Sequence, residues 1–369
     1  MTETAPELLS VSSLHFDKEV EDSVLEVLRS GHVAQGPRVE EFEAQCAAMA
    51  GTEFAVAVAN GTLALEAALE VLDIRAGDEV ITSPFTFAAT VNAILRTGAT
   101  VRFADIAANF TMDGAAARAL VNQRTRVLLP VHLYGLMADM DQMALIASDH
   151  SLAVVEDAAQ AHGARQGDRR AGSTGLGCFS FYATKNVTSA EGGMITTSDH
   201  DMAQRLRILR NQGMQGRYEY VGVGRNLRLT DLAAAVAIPQ MRRLDEITAS
   251  RNRNAQMLSA AIAAKGLDVR LPQVPEGRTH VWHQYTVLLP HNVDRQGVVD
   301  GMMRRGVATG TYYPRLAWDY DCYRAHPGVT QDPTPTATDV AKRCLSLPVH
   351  QHMTEAGLER VADALAASL

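Results

Sequence analysis

A lysine stands inside a run of small and hydroxyl-bearing residues, FSFYATKNVTSAEGG, where it occupies position 185. An apolar, strand-like segment precedes Lys185, and the nearest acidic residue after it is Glu191, so we expect a partly buried amine. Burial lowers the pKa of a lysine, and the neutral amine that results can attack a carbonyl carbon. A surface lysine in a loop explains this stretch equally well, so other residues must decide between the two.

A carboxylate, Asp157, closes the apolar run in LAVVEDAAQAHG, which has the composition of a buried strand. Open α/β sheets build their sites at the carboxyl ends of strands, and a charge buried there needs a partner. Gln160 and His162 follow closely enough to line the same crevice. Taken singly, each of these residues also fits a structural role, such as a cap or a salt bridge for Asp157.

A third candidate is the turn from a strand into a helix in ANGTLALEAALE. Gly61 permits a tight turn and Thr62 begins the helix, whose free N–H groups and dipole can bind a phosphate. Ser180, five residues before Lys185, can donate to the same phosphate. The chain contains neither a GxGxxG pattern nor a P-loop, which disfavours dinucleotides and nucleoside triphosphates. In isolation the turn is equally a simple helix cap.

Together these residues describe chemistry based on pyridoxal phosphate. In such sites a lysine holds the cofactor aldehyde as a Schiff base, and a carboxylate keeps the pyridine nitrogen protonated so that the ring accepts electrons. A helix N-terminus binds the phosphate, and an aromatic side chain stacks on the ring. The segment SPFTFAAT offers Phe85 and Phe87 for stacking, and either residue also suits the core.

The elements that must position these residues alternate between strand and helix over the first two-thirds of the chain. Short apolar strands separated by amphipathic helices predict an α/β fold with a mostly parallel sheet covered on both faces. Proline and glycine then concentrate in residues 266–280, and a strand at residues 307–314 and a last helix capped by Thr354 follow. We expect a large domain over residues 1–245, N-terminal segment included, and a smaller C-terminal α+β domain over residues 246–369.

Composition excludes several other classes of protein. The chain is 47% hydrophobic and 21% charged, as in ordinary soluble globular proteins, and its net charge of −8 argues against nucleic acid or an anionic membrane as partner. It has no apolar run near the roughly 20 residues of a membrane span, and residues 1–10 lack the pattern of a signal peptide. Four scattered cysteines without a CxxC pair predict reduced thiols in the cytoplasm and no structural metal.

Longer motifs resemble one known family. The segments EDAAQAHGA, FSFYATKNVTSAEGG and GRNLRLTDLAAA are similar to those of the DegT/StrS-type sugar aminotransferases, a branch of the fold-type I pyridoxal-phosphate enzymes. The shorter segments GPRVEEFE, NGTLAL, VHLYG, TGTYYP and LSLPVH extend the resemblance through most of the chain. It implies a seven-stranded, mostly parallel sheet in the large domain.

The resemblance also implies a role for each candidate residue. Lys185 becomes the Schiff-base lysine, which also moves protons, and Asp157 the partner of the pyridine nitrogen. Gln160 contacts the side of the ring that carries the 3-hydroxyl, and Phe87 stacks on the ring. The phosphate is bound by Gly61, Thr62 and Ser180 and, across the subunit boundary, by Asn226. Such a contact implies a homodimer with two shared sites.

The activity implied by the resemblance is a pyridoxal-phosphate-dependent amino transfer. The donor is expected to be glutamate or glutamine and the acceptor a keto group of a nucleotide-linked deoxysugar, in amino-sugar or antibiotic biosynthesis. A ketocyclitol is the alternative acceptor. Related dehydratases carry histidine in place of the lysine, so Lys185 favours amino transfer, and the lack of a basic arm disfavours a DNA-binding regulator. Substrate contacts are expected from HVWHQY, GTYYPRL, Arg217, Arg225 and Arg228.

Overall fold

The computed structural model describes residues 8–369, and the first part of the N-terminal stretch searched for a signal peptide lies outside them. Two short 3-10 helices, Leu133–Gly135 and Ala317–Asp319, occur among the described residues. The α-helices are α1 (Lys18–Ser30), α2 (Pro37–Ala50), α3 (Gly61–Val71), α4 (Ala88–Arg96), α5 (Gly114–Leu120), α6 (Met140–His150), α7 (His200–Arg210), α8 (Asp231–Arg242), α9 (Leu244–Ala264), α10 (Arg295–Arg304), α11 (Asp321–Arg324), α12 (Pro335–Arg343) and α13 (Glu355–Ala366).

Most strands belong to one central sheet, and the others form short pairs. The strands are β1 (Phe54–Val58), β2 (Glu79–Thr82), β3 (Thr100–Phe103), β4 (Thr125–Leu128), β5 (Ala153–Asp157), β6 (Arg165–Gln166), β7 (Arg169–Arg170), β8 (Leu176–Ser180), β9 (Gly193–Thr197), β10 (Met214–Gly216), β11 (Glu219–Tyr220), β12 (Arg278–Thr279), β13 (Tyr285–Leu288) and β14 (Cys344–Leu347).

The central sheet has seven strands in the order β1-β9-β8-β5-β4-β2-β3. Strands β3, β2, β4, β5 and β8 run parallel, whereas β9 is antiparallel to both β1 and β8. Two clusters of buried apolar residues cover the two faces of this sheet. The predicted mostly parallel, seven-stranded α/β sheet is therefore confirmed.

The orientation of the strands decides where a site can form. Strands β1, β2, β4, β5 and β8 all point their carboxyl ends toward one edge of the sheet. Residues that follow these strands therefore meet above that edge, where open α/β sheets bind ligands. The candidates at Gly61, Phe87, Asp157 and Ser180 all lie at or just beyond a strand end.

A separate apolar cluster lies in the C-terminal part, where α9, α10 and α13 pack around the antiparallel pair β13–β14. The N-terminal segment joins it, because Leu9 bridges Val307 and packs on the same cluster. Thr354 caps α13 as expected, since its hydroxyl accepts a hydrogen bond from the N–H of Gly357 at 3.1 Å. We keep the division after residue 245 as a proposal, supported by the start of α9 at Leu244.

The prediction of a strand over residues 307–314 is only partly correct. Val307 and Gly310 form isolated bridges, with Leu9 and Ser346, and no regular strand follows. Tyr313 adopts a φ of 56°, which ends the extended chain, and the next residue is a proline without an N–H to donate. This bend carries the neighbouring tyrosines to the sheet edge described above.

Among the described helices, none is long and apolar enough to cross a bilayer.

Candidate active site

A cavity of about 670 Å³ opens at the carboxyl ends of the parallel strands. One wall comes from the large sheet and its loops, and the facing wall comes from the segments around residues 283 and 312. The lining residues are Asn60, Gly61, Thr62, Leu63, Leu65, Thr86, Phe87, Ala89, Val131, Leu133, Asp157, Ala159, Gln160, Ser180, Tyr182, Thr184, Lys185, Glu191, His283, Gln284, Tyr312 and Tyr313.

Asp157 is fixed at the end of β5 by its backbone and by its carboxylate. Its N–H donates to the Pro130 carbonyl at 2.9 Å, and its carbonyl accepts from the N–H of His132 at 3.0 Å. The hydroxyl of Thr90 donates to Oδ2 at 2.7 Å, and the N–H of Ala159 donates to Oδ1 at 3.2 Å. The two hydrogen bonds orient this buried carboxylate, and its negative charge can then face a cationic group bound in the cavity.

The neighbouring acid on the same strand does something different. Glu156 is wholly buried on the opposite face, because successive side chains of a strand alternate. It accepts from Nε2 of His132 at 2.6 Å and from the N–H groups of Gly172 and Thr174 at 2.8 and 2.6 Å. Nδ1 of His132 accepts from the N–H of Ala138, which places the proton on Nε2. Glu156 therefore holds the loop 172–174, and only Asp157 reaches the cavity.

Lys185 lies on the cavity wall in the tight turn after β8. Its N–H donates to the Tyr182 carbonyl at 2.9 Å, and the returning chain is tied by the N–H of Ser189, which donates to the Phe181 carbonyl at 2.9 Å. Burial lowers the pKa of the Lys185 amine to about 8, and the charge of Asp157 partly offsets this lowering. The sequence expectation of a partly buried amine with a depressed pKa is matched by this arrangement.

The first turn of α3 and Ser180 form one end of the cavity. Asn60 caps α3, because its Oδ1 accepts from the N–H of Leu63 at 2.9 Å, and the first N–H groups of a helix have no partner within the helix. A Cβ on Gly61 would lie 2.7 Å from the Cβ of Ser180, so only glycine lets the two segments approach this closely. Backbone donors at a helix N-terminus beside the hydroxyls of Thr62 and Ser180 can bind a phosphate.

The remaining predicted residues lie around the middle of the cavity. The Phe87 side chain is 63% exposed on its wall, whereas Phe85 is buried in an aromatic cluster with Tyr134 and Tyr313 and does not line it. Gln160 is held at both ends, since its Oε1 accepts from the N–H of Tyr134 at 2.6 Å and its Nε2 donates to the Tyr313 hydroxyl at 2.8 Å. Its amide plane is therefore fixed without any ligand.

His162, which was expected to line the same crevice, is wholly buried against Phe179 and Phe181 and does not line the cavity, and Asn226 lies outside the cavity too. Asn226 is exposed and pairs with Asn211 in an isolated antiparallel bridge. Of the three arginines singled out for anionic groups, Arg225 pairs with Glu66 and Glu70 and Arg228 donates to Asn211. Arg217 is exposed, with its guanidinium over the ring of Tyr218.

Sequence reasoning missed the contacts that orient Asp157 and Gln160. Thr90 orients the Asp157 carboxylate and is itself hydrogen-bonded to Thr86 at 2.8 Å, a spacing of one helical turn that offered a signal in SPFTFAAT. Tyr313 orients Gln160 although the two residues are 153 positions apart, and no local sequence pattern predicts that contact. His283 and Gln284 lie on the cavity wall, within a segment that was expected to contact the substrate.

Comparison with known proteins agrees with this geometry. Residues 15–366 match the DegT/DnrJ/EryC1/StrS aminotransferase family. The chain belongs to this family. It is 38% identical over 351 residues to the dTDP-3-amino-3,4,6-trideoxy-α-D-glucose transaminase of Streptomyces venezuelae, covering 94% of this chain and 91% of that one. It is 36% identical over 354 residues to the UDP-N-acetyl-3-dehydro-α-D-glucosamine 3-aminotransferase of Acidithiobacillus ferrooxidans, covering 95% and 94%.

A solved structure gives the same result for the fold. The crystal structure of S. venezuelae DesV in complex with a ketimine intermediate superposes with a TM-score of 0.89 at 37% identity, covering 94% of this chain and 93% of that one. This member of the family is therefore a pyridoxal-phosphate-dependent aminotransferase. The cavity fits the cofactor, because it offers a depressed-pKa lysine, a buried carboxylate and a phosphate cradle that a Cβ at Gly61 would fill.

The pKa of Lys185 predicts how the cofactor-free aminotransferase captures an aldehyde. Only the neutral amine reacts, so the rate should rise about tenfold per pH unit up to about pH 8 and then level off. An ordinary lysine would keep rising to above pH 10. Stopped-flow absorbance after mixing with pyridoxal phosphate measures the profile. Asp157→Asn removes the charge that raises this pKa and should move the plateau to lower pH; a profile that still climbs at pH 10 would contradict the assignment.

Proposed function

We propose that this aminotransferase moves an amino group from glutamate or glutamine to a keto group of a nucleotide-linked deoxysugar. The product would serve amino-sugar or antibiotic biosynthesis. The observation that carries the proposal is the meeting of Lys185, Asp157 and the N-terminus of α3 in one cavity, in a chain whose relatives act on dTDP- and UDP-linked sugars. The cavity volume of about 670 Å³ leaves room for a sugar ring beside the cofactor.

Pyridoxal phosphate, when bound, supplies an aldehyde that accepts amino groups and a ring that accepts electrons from the carbon losing a proton. Lys185 would hold the aldehyde carbon, and once released by the amino donor its Nζ would take the proton from the donor Cα. A pKa near 8 suits both tasks, because the amine can be neutral before the transfer and charged after it. Asp157 would face the ring nitrogen and keep it protonated.

The other site residues would bind and orient. The N–H groups of Gly61 and Thr62 and the Ser180 hydroxyl would bind the phosphate. Phe87 would stack on the ring, and Gln160, already fixed by Tyr313, would contact the side of the ring that carries the 3-hydroxyl. Each of these assignments comes from the family resemblance and is supported by the position of the residue on the cavity wall.

A screen of substrates tests the proposal. UDP-, dTDP- and GDP-linked 3-keto and 4-keto sugars and ketocyclitols are offered with glutamate or glutamine, and product formation is followed by mass spectrometry. We expect one nucleotide-linked ketosugar to be aminated well above the others. Amination of a free ketocyclitol alone would replace the sugar nucleotide as the substrate, and loss of a hydroxyl without gain of nitrogen would indicate a dehydratase.

We further propose a homodimer in which Asn226 binds the phosphate of the partner's site. Asn226 lies outside the cavity of its own chain, and the adjacent segment exposes apolar side chains to an unusual degree. Tyr218 and Tyr220 are 71% and 62% exposed, and Val223 is 98% exposed. Apolar surface of this kind is typical of regions that a second subunit covers.

Mixing two inactive variants tests the shared site. Lys185→Ala and Asn226→Ala each damage every site in their own dimers, but a mixed dimer holds one intact site. Statistical mixing should therefore restore about a quarter of the wild-type rate. Lys185→Ala mixed with Asp157→Asn is the matched control, because both changes lie in the same cavity and no intact site can form. A fully active monomer by sedimentation would contradict the proposal.

A further inference from the structure

Two neighbouring side chains on the cavity wall each bury a polar atom that has no partner within the described part of the chain. These atoms are Nδ1 of His283 and Oε1 of Gln284, and the two residues are 9% and 6% exposed. Buried polar atoms in folded proteins are nearly always hydrogen-bonded, so an unpaired pair beside a ligand cavity calls for a partner from the ligand. Neither residue has a role in holding the cofactor as described above.

The backbone that carries these side chains is held in a strained turn. Trp282 is not a glycine, yet its φ is 49°, and its carbonyl accepts from Nη1 of the buried Arg251 at 2.7 Å. A Cβ on Gly135 would lie 2.9 Å from the Val281 side chain and 3.0 Å from the N of His283. Strain of this kind persists only where the surroundings fix it, and it recurs at ligand sites. The turn thus presents His283 and Gln284 in one preset geometry.

Backbone hydrogen bonds tie the same turn to the large sheet. The N–H of Val281 donates to the Gly135 carbonyl at 2.9 Å, and the N–H of Gln284 donates to the Tyr134 carbonyl at 3.2 Å. The Asn186 side chain, next to Lys185 in sequence, donates to the Val281 carbonyl at 2.8 Å. The position of this wall relative to Lys185 is therefore set before a substrate arrives.

The wall that faces the substrate is uncharged. Burial, with the positive charges of Lys185 and Arg251, holds the pKa of His283 well below its usual value, so its imidazole is neutral. Burial raises the pKa of Tyr312, and a hydrogen bond from Gln284 partly offsets that rise. The amide oxygen of Gln284 has no hydrogen-bond partner in the described part of the chain.

We propose that Gln284 Oε1 and His283 Nδ1 bind ring hydroxyls of the amino acceptor and so decide which ketone is aminated. This inference rests on the proposed function and names the feature of the acceptor that the cavity reads. Gln284 Oε1 is an acceptor only and requires an O–H donor, whereas a hydroxyl can satisfy either tautomer of His283. A sugar that lacks the hydroxyl facing Gln284 would leave Oε1 buried and without a hydrogen bond, so the site should bind that sugar more weakly.

The test measures binding to the cofactor-free protein, so that catalysis does not enter. Calorimetry compares a UDP- or dTDP-linked 3-amino sugar with analogues that lack one ring hydroxyl at a time. For the wild type we expect removal of one hydroxyl to weaken binding about tenfold. Gln284→Leu should weaken binding of the hydroxylated ligand by the same factor and should no longer distinguish it from that analogue. His283→Phe is expected to do the same for a second hydroxyl.

A matched control comes from another glutamine with a buried, unpaired oxygen. Gln45 lies on α2, outside the cavity, and its Oε1 also has no partner in the described chain. Gln45→Leu should bind every ligand as the wild type does. If Gln284→Leu loses affinity equally for all analogues, or behaves as Gln45→Leu does, the proposal is wrong. If wild-type protein binds an aminocyclitol but no nucleotide-linked amino sugar, the proposed acceptor class fails instead, and hydroxyl-deleted cyclitols then test Gln284 and His283.

Discussion

Lys185→Ala is expected to lower the rate of amino transfer by at least about 10³-fold, because one amine would both hold the cofactor aldehyde and move the proton. The variant should bind pyridoxal phosphate only through the phosphate cradle and the carboxylate. The complex of this variant with pyridoxal phosphate should therefore lack the absorbance of a Schiff base, which borohydride abolishes in the wild type. Mass spectrometry after borohydride treatment should find the cofactor attached to Lys185 in the wild-type protein and to no residue in the variant.

Lys185→Arg separates this chemical role from a structural one. Arginine keeps the length and the positive charge, but it does not lose its proton in proteins. We therefore expect it to be as inactive as alanine while its melting temperature stays near that of the wild type. Lys342→Ala is the control, since Lys342 is exposed on α12 and outside the cavity. A reducible complex in Lys185→Ala would show that another amine binds the aldehyde.

That the residues proposed to hold the cofactor share one cavity was accessible from sequence, because each of them lies at or just beyond the end of a strand. Asp157 closes an apolar run, Gly61 and Thr62 open a helix, and Lys185 follows another strand, so a parallel sheet must bring them to one edge. The same logic predicted the alternation of strands and helices. These predictions required only local sequence patterns and the rule that open α/β sheets bind ligands at the carboxyl ends of their strands.

The supporting contacts could not be found that way, because they join segments far apart in the chain. Thr90 reaches Asp157 across 67 positions, and Tyr313 reaches Gln160 across 153. Tyr313 was assigned to a strand, and only the structure shows the backbone bend that directs it into the cavity. That Gln284 Oε1 is buried without a hydrogen-bond partner is likewise visible only in the folded structure, because no sequence motif indicates it.

These contacts also explain how a depressed lysine pKa and a buried carboxylate coexist. Burial favours the neutral amine of Lys185, and the charge of Asp157 opposes that effect. A stronger attraction between the two would keep the amine protonated and unreactive. Thr90 and the N–H of Ala159 share the negative charge of Asp157, which would let the carboxylate take its proposed place beside the cofactor nitrogen without trapping the lysine as an ion pair.

Asp157→Asn and Glu156→Gln are expected to fail in opposite ways, although the two acids are adjacent. Asparagine preserves the shape at position 157 but loses the charge that would keep the cofactor nitrogen protonated. We expect kcat to fall about 10²–10³-fold, the usual cost of one electrostatic group in a water-excluded site. Its melting temperature should stay close to that of the wild type, because the amide oxygen can accept from the N–H of Ala159 while the Thr90 hydroxyl rotates to accept from the new NH₂ and to donate to Thr86.

Glu156→Gln should instead keep its chemistry and lose stability. The wholly buried carboxylate accepts from three donors, and an amide places its own NH₂ against one of them, with a cost of about 2–4 kcal/mol in the free energy of unfolding. Urea unfolding and single-turnover rates, measured on both variants, give the four values needed. If Asp157→Asn destabilised the fold while Glu156→Gln lost the chemistry, the assignment of the two faces of β5 would be reversed. Because side chains alternate along a strand, one residue of register separates the carboxylate proposed to face the cofactor from the carboxylate that holds a loop.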